Sequence, residues 1–280
     1  MTAATENITV YEPHTHGLPP LRPYLRELWR RRRFAVHLAR TDLKAQHYDT
    51  VFGQLWSVLN PLLLAGVYFL LLGVIYRGGQ RGTAEYLSVL ISGIFFYYYT
   101  RNCIQAGSRA VVGGEKLILN TAFPRALLPT SSVIGALLMH LPTVLVYLVL
   151  HLLLGRPATW TLLLLPVLVG IQTVFNLGCA LFASALTVYF RDTSSFLPYL
   201  LRIWMYLTPV LYFVEDVPAG LHAVLMLNPL YPLFAALQKV VTGQAPTLLQ
   251  LGAASLWAVV ALVLGALFFL TRERDFAIRF

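Results

Sequence analysis

Residues 95–102 read Phe-Phe-Tyr-Tyr-Tyr-Thr-Arg-Asn and lie inside an otherwise apolar stretch from 84 to about 108. A helix of about 20 mostly apolar residues crosses a bilayer core, so this stretch is long enough. Five aromatic rings followed by a guanidinium and an amide make poor lipid-facing surface. An ionisable side chain at membrane depth ordinarily faces protein or a watery cavity, and marks a pathway. Phenol rings beside hydrogen-bonding groups suit sugars, which present apolar C–H faces and hydroxyl edges. The same run also reads as packing between helices, with Tyr at the interface belt.

Composition places the rest of the chain in the same setting. Hydrophobic residues make up 58% of the 280 and charged residues 12%, whereas a soluble domain carries about a quarter charged. The formal net charge of +9 would fit a nucleic-acid binder, but the positions of the charges point elsewhere. Six apolar stretches run at about 53–76, 84–108, 126–154, 160–189, 195–214 and 248–270. With a cytoplasmic N-terminus, that side holds Arg22, Arg26, Arg30 to Arg33, Arg40, Lys44, Arg109, Lys116, Arg125, Arg191, Arg272, Arg274 and Arg279. The opposite side holds only Arg77, Arg81, Arg156 and Lys239, while Arg101 and Arg202 fall within spans. This positive-inside bias puts both termini in the cytoplasm and accounts for the basic charge, which removes nucleic acid as a partner. No cleavable signal peptide is expected, because the first fifty residues lack an apolar core region. Cys103 and Cys179 have neither metal-ligand nor disulfide spacing and read as small apolar residues.

The expected organisation is therefore an all-α polytopic membrane protein with six transmembrane helices. Residues 1–20 form a flexible cytoplasmic tail, 21–50 an amphipathic interface helix, 51–270 the six-span domain, and 271–280 a cytoplasmic tail. In the interface helix, Leu21, Leu25, Leu28, Val36 and Leu43 recur near helical spacing among arginines, as in helices that lie on a membrane surface. Its Arg30, Arg31, Arg32 and Arg33 either snorkel to anionic headgroups or form a pyrophosphate-recognising site at the cytoplasmic leaflet, since guanidinium suits phosphate. Between spans five and six, two apolar pieces at about 219–227 and 230–241 are each too short to cross. Interrupted by Asn228-Pro229 and Tyr231-Pro232, they read as short re-entrant or interfacial helices on the exit side.

Several motifs then fall in a familiar order. Thr41-Asp42-Leu43-Lys44-Ala45-Gln46, Phe52-Gly53-Gln54-Leu55-Trp56-Ser57 and Asn60-Pro61-Leu62 resemble the opening of ABC-2 type polysaccharide and O-antigen export permeases. Phe123-Pro124-Arg125 with Leu128-Pro129, Phe190-Arg191-Asp192, Thr208-Pro209-Val210 with Tyr212, and Asn228-Pro229-Leu230 continue the likeness over about 40–275. Gln46 and His47 stand where the family often has a basic residue. The resemblance implies a homodimer of six-span subunits in the bacterial plasma membrane, working with two copies of a separate ABC ATPase. It implies a lipid-linked polysaccharide substrate built on a polyprenyl pyrophosphate. Within the family the chain looks closest to actinobacterial exporters of cell-wall galactan.

Roles follow from the residues set against that resemblance. The chain lacks a Gly-x-x-x-x-Gly-Lys-Ser/Thr loop, and Gly113-Gly114-Glu115-Lys116 has neither its spacing nor a preceding soluble strand. ATP and its Mg would be bound by the partner, so this chain is a transport subunit and not an enzyme. No cofactor, catalytic group or metal site is expected in it. Glu115, Lys116, Leu117, Ile118, Leu119 and Asn120 lie between Gly113-Gly114 and Pro124 and predict one short helix. The resemblance makes that helix the coupling helix that docks in the ATPase, with Leu117, Ile118 and Leu119 as apolar anchors. At 100° per residue, Phe95, Tyr98, Tyr99, Asn102, Gln105 and Arg109 share about a third of the second span. Tyr199, Arg202, Tyr206 and Phe213 share a stripe on the fifth. Two aromatic–polar faces predict a substrate channel lined by Phe95, Tyr98, Tyr99, Asn102, Gln105, Tyr199, Arg202, Tyr206 and Phe213. Phe96 and Tyr97 go to packing, and Arg101 to a helix-interface pair. His140, Tyr147 and His151, and likewise Gln172 and Asn176, are read as hydrogen bonds between helices.

The spans hold no convincing acidic relay, as a secondary transporter would want. Glu215-Asp216 is the sole acid pair a membrane-embedded transferase could use. An ABC-2 drug or lipid exporter is the closest alternative.

Overall fold

The computed structural model describes residues 20–46, 53–73 and 82–279, and among these every regular element is helical. The tail expected over 1–20 lies outside the described residues except for Pro20. So do Arg77, Arg81, His47 and Phe52. In chain order the helices are α1 (Leu21–Arg30), α2 (Arg32–Gln46), α3 (Trp56–Tyr68), α4 (Thr83–Gly113), α5 (Glu115–Asn120) and α6 (Leu127–Leu153). They continue with α7 (Leu165–Tyr189), α8 (Thr193–Leu207), α9 (Ala219–Leu225), α10 (Tyr231–Val241) and α11 (Leu248–Arg272). A 3-10 segment, Glu273–Ile278, follows α11.

Among the described residues, three helical stretches are long and apolar enough to cross a membrane: Leu127–Leu153, Trp160–Tyr189 and Leu248–Phe276. Trp56–Leu71 is a shorter apolar helix. The longest single helix is α4, at 31 residues, or about 46 Å at 1.5 Å per residue. Its residues from Ser88 to Tyr97 are all buried, so this part of it shows no amphipathic stripe and is covered on every side by neighbours. The fifth apolar stretch departs from its expected extent. Helix α8 stops at Leu207, because Thr208 precedes Pro209 and adopts an extended backbone (φ −99°, ψ 142°). A residue before proline is sterically pushed out of the helical region. At 15 residues α8 is shorter than a full crossing.

The interface segment is also corrected, from one helix to two. Arg31 leaves helical geometry between α1 and α2, and its side chain folds back on Glu27 at 2.5 Å. Helix α2 turns a small-residue stripe inward: Ala35, Ala39 and Leu43 are buried, and Ala39 and Leu43 face Gly135 of α6. Helix α1 carries the amphipathic character, with Leu21, Leu25 and Trp29 exposed on one side.

The bundle is drawn together by small residues on α7. A Cβ on Gly178 would stand 2.3 Å from the Ala261 backbone of α11, and one on Gly265 would stand 2.0 Å from the Gly178 carbonyl oxygen. On the other side, a Cβ on Gly107 of α4 would meet Ala180 at 2.5 Å. Helix pairs in membranes gain van der Waals contact in this way where no hydrophobic drive separates protein from lipid. Hydrogen bonds then fix rotation. Gln172 of α7 donates to the Phe96 carbonyl and to Thr100 Oγ1, both at 2.8 Å. Ser88 of α4 pairs with Tyr147 Oη (3.1 Å) and His151 Nδ1 (2.9 Å) of α6. At the same end, Arg156 reaches Glu85 at 3.3 Å.

Helix α10 is buried almost throughout, whereas Leu221 and Val224 of α9 are exposed. Gln238 of α10 donates to the Pro209 and Tyr212 carbonyls, both at 2.8 Å, and accepts from the Val214 amide. Asn228 accepts from Trp204 Nε1 (2.8 Å) and donates to Leu207 O and Thr208 Oγ1. The turn that ends α8 is thereby fastened to α10. Helix α11 begins with a reciprocal cap between Thr247 and Gln250.

Substitution at the α7–α11 crossing is expected to be costly. Gly178→Ala should destabilise the detergent-purified protein by about 1–3 kcal/mol, as overpacking does, read as a lower thermal unfolding midpoint. Gly252→Ala, on the same α11 with nothing within 4 Å of its Cβ position, should leave the midpoint unchanged or raise it. Equal midpoints for Gly178→Ala and Gly252→Ala would remove the close contact from the account.

Candidate functional site

A groove of about 290 Å³ opens between α3, α4 and α8. Its aromatic and cationic walls are Tyr68, Tyr98, Arg101, Arg202 and Tyr206, with Leu64, Pro198, Leu201 and Met205 as apolar flanks and Tyr97 behind. Tyr68 and Tyr206 close one end, their hydroxyls 2.8 Å apart and their rings edge to face at 82°. The Arg101 guanidinium lies over the Tyr98 ring, 5.1 Å from its centroid, an arrangement in which the ring quadrupole attracts the cation. Tyr97 donates to the Leu201 carbonyl, tying α4 to α8 behind the groove.

Of the residues expected to line a channel, Tyr98, Arg202 and Tyr206 come together here. Phe95 and Tyr99 do not, because both are buried in the bundle. Tyr99 stacks on His140 with centroids 4.5 Å apart and planes within 5°, and its hydroxyl pairs with Thr173 at 2.8 Å. Phe96, as read, packs edge-on against His140 at 5.1 Å. Asn102 and Gln105 are half-buried and outside the groove lining, Tyr199 is exposed beyond it, and Phe213 lies past the end of α8 against Tyr86 at 6.2 Å. Arg101 is the converse correction, since it lines the groove and makes no helix-interface ion pair among the described residues. At 100° per residue, the open arc of α4 is centred between Tyr98 and Tyr97, roughly one residue step from the expected face. Tyr68 carried no periodic signal: it is one phenol in an apolar stretch, and only the position of α8 gives it a partner.

A second constellation gathers at the cytoplasm-facing end of the expected topology. Glu273 is buried; its Oε1 accepts from the Arg125 amide at 2.6 Å, and its carbonyl accepts from the Arg125 guanidinium. Tyr24 of α1 lies beside it, where burial first and the Glu273 carboxylate second push its phenol well above the ordinary range. Arg31 donates to the Ala122 carbonyl at 3.1 Å, and Phe34 packs on Phe123 at 6.0 Å. Thus α1, α2 and the C-terminal segment all grip the short loop that follows α5. Asp275 accepts from Tyr189 at 3.0 Å, and Arg279 covers the Tyr189 ring at 3.9 Å, which fastens the segment to the end of α7.

Helix α5 itself divides its apolar residues. Ile118 is buried with Val111, Ala126, Leu128 and Phe276, whereas Leu119 projects outward and Leu117 is intermediate. Ile118 therefore belongs to the fold and not to an outward apolar anchor. Lys116 and Asn120 are exposed and Glu115 is half-buried. The four arginines of α1 and α2 are likewise not equivalent. Arg30 and Arg31 both engage Glu27, at 2.8 and 2.5 Å, and the Arg31 bond holds its carboxylate below the usual range. Arg32 lies over Trp29 at 4.6 Å, and Arg33 is exposed.

Comparison with known proteins gives this architecture a family. The ABC-2 type transporter family matches over residues 35–242. A Myxococcus xanthus protein described as "O-antigen export system permease protein RfbA" is 30% identical over 259 residues, covering 90% of this chain and 97% of that protein. Two Klebsiella pneumoniae proteins of the same description are 29% and 28% identical over 196 residues, covering 70% of this chain and 74% of each. The chain belongs to the ABC-2 type transporter family.

Proposed function

We propose that this multi-pass membrane protein is the permease subunit of an ABC exporter that moves a lipid-linked polysaccharide out of the cell. The observation that carries the reading is the tyrosine-lined groove between α3, α4 and α8. Phenol rings stack on the C–H faces of sugars while their hydroxyls exchange hydrogen bonds, so a chain of hydroxylated rings can slide without one tight site. Relatives described as O-antigen export permeases support the same class of cargo. The two guanidiniums in the groove argue against the alternative of a drug exporter with an apolar pocket, because an apolar drug leaves them uncompensated.

In this reading six spans cross the bacterial plasma membrane with both termini in the cytoplasm, and α9 and α10 are the re-entrant helices on the exit side. The domain limits remain 1–20 for the tail, 21–50 for the interface segment, 51–270 for the transmembrane domain and 271–280 for the C-terminal tail. The groove lies on an open side of the chain, where a second copy completes a conduit; a homodimer supplies it. The cargo is a polyprenyl-pyrophosphate-linked glycan, and the sequence likeness to actinobacterial exporters makes galactan the specific proposal. Two copies of a separate ABC ATPase bind ATP and Mg and drive the cycle. Helix α5 receives their motion through Leu117 and Leu119, with Glu115, Lys116 and Asn120 at its rim. The exposed Leu21, Leu25 and Trp29 stripe of α1 rests on lipid, and the Arg30–Arg33 run meets anionic headgroups there.

Three measurements test this reading. Tyr98→Ala combined with Tyr206→Ala should cut polymer export about tenfold, since two aromatic contacts of about 0.5–1.5 kcal/mol each are lost. Assembly with the ATPase should be intact in that variant; undiminished export would sink the lining. Leu119→Asp should leave ATP hydrolysis running while export falls, and a normal ratio of polymer exported to ATP consumed would remove α5 from the coupling role. Glu273→Ala strips the Arg125 amide of its acceptor, at about 1–3 kcal/mol, so deuterium uptake across residues 121–126 should accelerate. Uptake equal to that of the unmodified protein would show that the clasp does not hold the loop.

A further inference from the structure

Among the described residues, the groove contains two cations and no anion. Arg101 and Arg202 both line it, no Asp or Glu does, and among the described residues neither arginine makes an ion pair. Several cations elsewhere in the fold have a carboxylate: Arg156 has Glu85, Lys239 has Glu215 at 2.6 Å, and Arg30 and Arg31 share Glu27. Arg125 is held by Glu273. The contrast matters at membrane depth, where an ionised side chain is costly and calls for a partner or water. Arginine cannot escape that cost by losing its proton.

The surroundings narrow the partner. Tyr98 offers Arg101 its ring face, which leaves the guanidinium N–H edge for an acceptor. Planar guanidinium forks match the oxygens of phosphate, two bonds at a time. The groove is also bounded by Leu64, Leu201 and Met205. A charged oxyanion and an apolar chain thus find neighbouring surfaces.

We propose that the groove holds a binding site for a phosphate-class oxyanion borne on a lipid, with Arg101 and Arg202 as its two cationic ligands. This rests on the groove being the path of the cargo, and assigns to these two residues the phosphate-bearing end of the molecule. Arg101 from α4 and Arg202 from α8 face the anion from different helices, so binding draws the two together. The Tyr68 and Tyr206 hydroxyls supply the neutral donors at the groove's end.

The test uses the full-length protein in nanodiscs of zwitterionic lipid, without ATP, and equilibrium dialysis of labelled probes. Farnesyl diphosphate should bind more tightly than farnesol, and its affinity should fall with added salt. Arg101→Gln and Arg202→Gln should each weaken it about tenfold or more, the effect of losing a charged hydrogen-bonding partner. Neither should alter farnesol. Arg109→Gln, exposed on α4 outside the groove, should change nothing. Inorganic pyrophosphate should bind more weakly than farnesyl diphosphate and show the same dependence on both arginines. Equal affinity of the two diphosphates would overturn the lipid-borne source and leave a free phosphate as the ligand. Equal binding of farnesyl diphosphate and farnesol, or no effect of Arg202→Gln, would overturn the site itself. Arg202 is exposed on α8, so its variant carries the test if Arg101→Gln fails to fold. Probe binding needs neither polymer nor ATPase, so a failure here is distinguishable from a failure of the export reading.

Discussion

Where α7 crosses α11, the Gly178 carbonyl lies so close to Gly265 that a single methyl on either glycine would meet backbone atoms at 2.3 Å or less. This contact, with Gly107 against Ala180 on the α4 side, sets the spacing of the bundle. Close backbone approach is what membrane helices can gain from one another, because lipid solvates leucine as well as protein does. Once α7 is wedged between α4 and α11, Gln172 reaches the Phe96 carbonyl and Thr100 and locks the rotation of α4. That rotation decides which arc of α4 remains uncovered, and hence which of its aromatic residues can line a groove.

Much of the interior pairs its polar groups across helices, although Asn176, Ser184 Oγ and His140 Nε2 find no hydrogen-bond partner among the described residues. Inside, Ser88, Tyr147, His151, Tyr99 and Thr173 satisfy one another across helices. These bonds consume the hydrogen-bonding capacity of the groups concerned and make them structural. In the groove, the phenols of Tyr68 and Tyr206 hydrogen-bond each other, and among the described residues two guanidiniums stand without a carboxylate. Two cations in one groove whose described lining holds no carboxylate leave that place open to an anion the chain does not itself supply.

At the other end of α4, three distant parts of the sequence converge on the loop after α5. Tyr24 and Arg31 come from the beginning of the described chain, Arg125 from its middle and Glu273 from its end. Phe276 and Ile118 share one apolar cluster beneath them. If α5 takes up the motion of an ATPase, as proposed, that motion reaches α1, α4 and α11 together, because the loop cannot shift without disturbing all three.

The helical class, the membrane setting and the short helix at Glu115–Asn120 were legible in the chain. Each follows from local facts: apolar run length, charge density, and Gly or Pro at the boundaries. The family was legible too, because motifs such as Phe123-Pro124-Arg125 and Asn228-Pro229-Leu230 are contiguous. The break at Arg31 and the early end of α8 at Thr208-Pro209 were within reach of local rules but were outvoted by the apolar pattern. What no local rule could supply was orientation about each helix axis. Periodicity fixes the angle between Tyr98 and Tyr99, not which of them a neighbouring helix will cover. That choice placed Tyr99 against His140, turned Ile118 inward, brought Arg101 to the groove and gave Tyr68 a partner 138 residues away. The sequence by itself determined what kind of helices these are. Only the packing of α7, α4 and α8 decided which faces stayed open, because burial is a property of pairs of helices and not of either one alone.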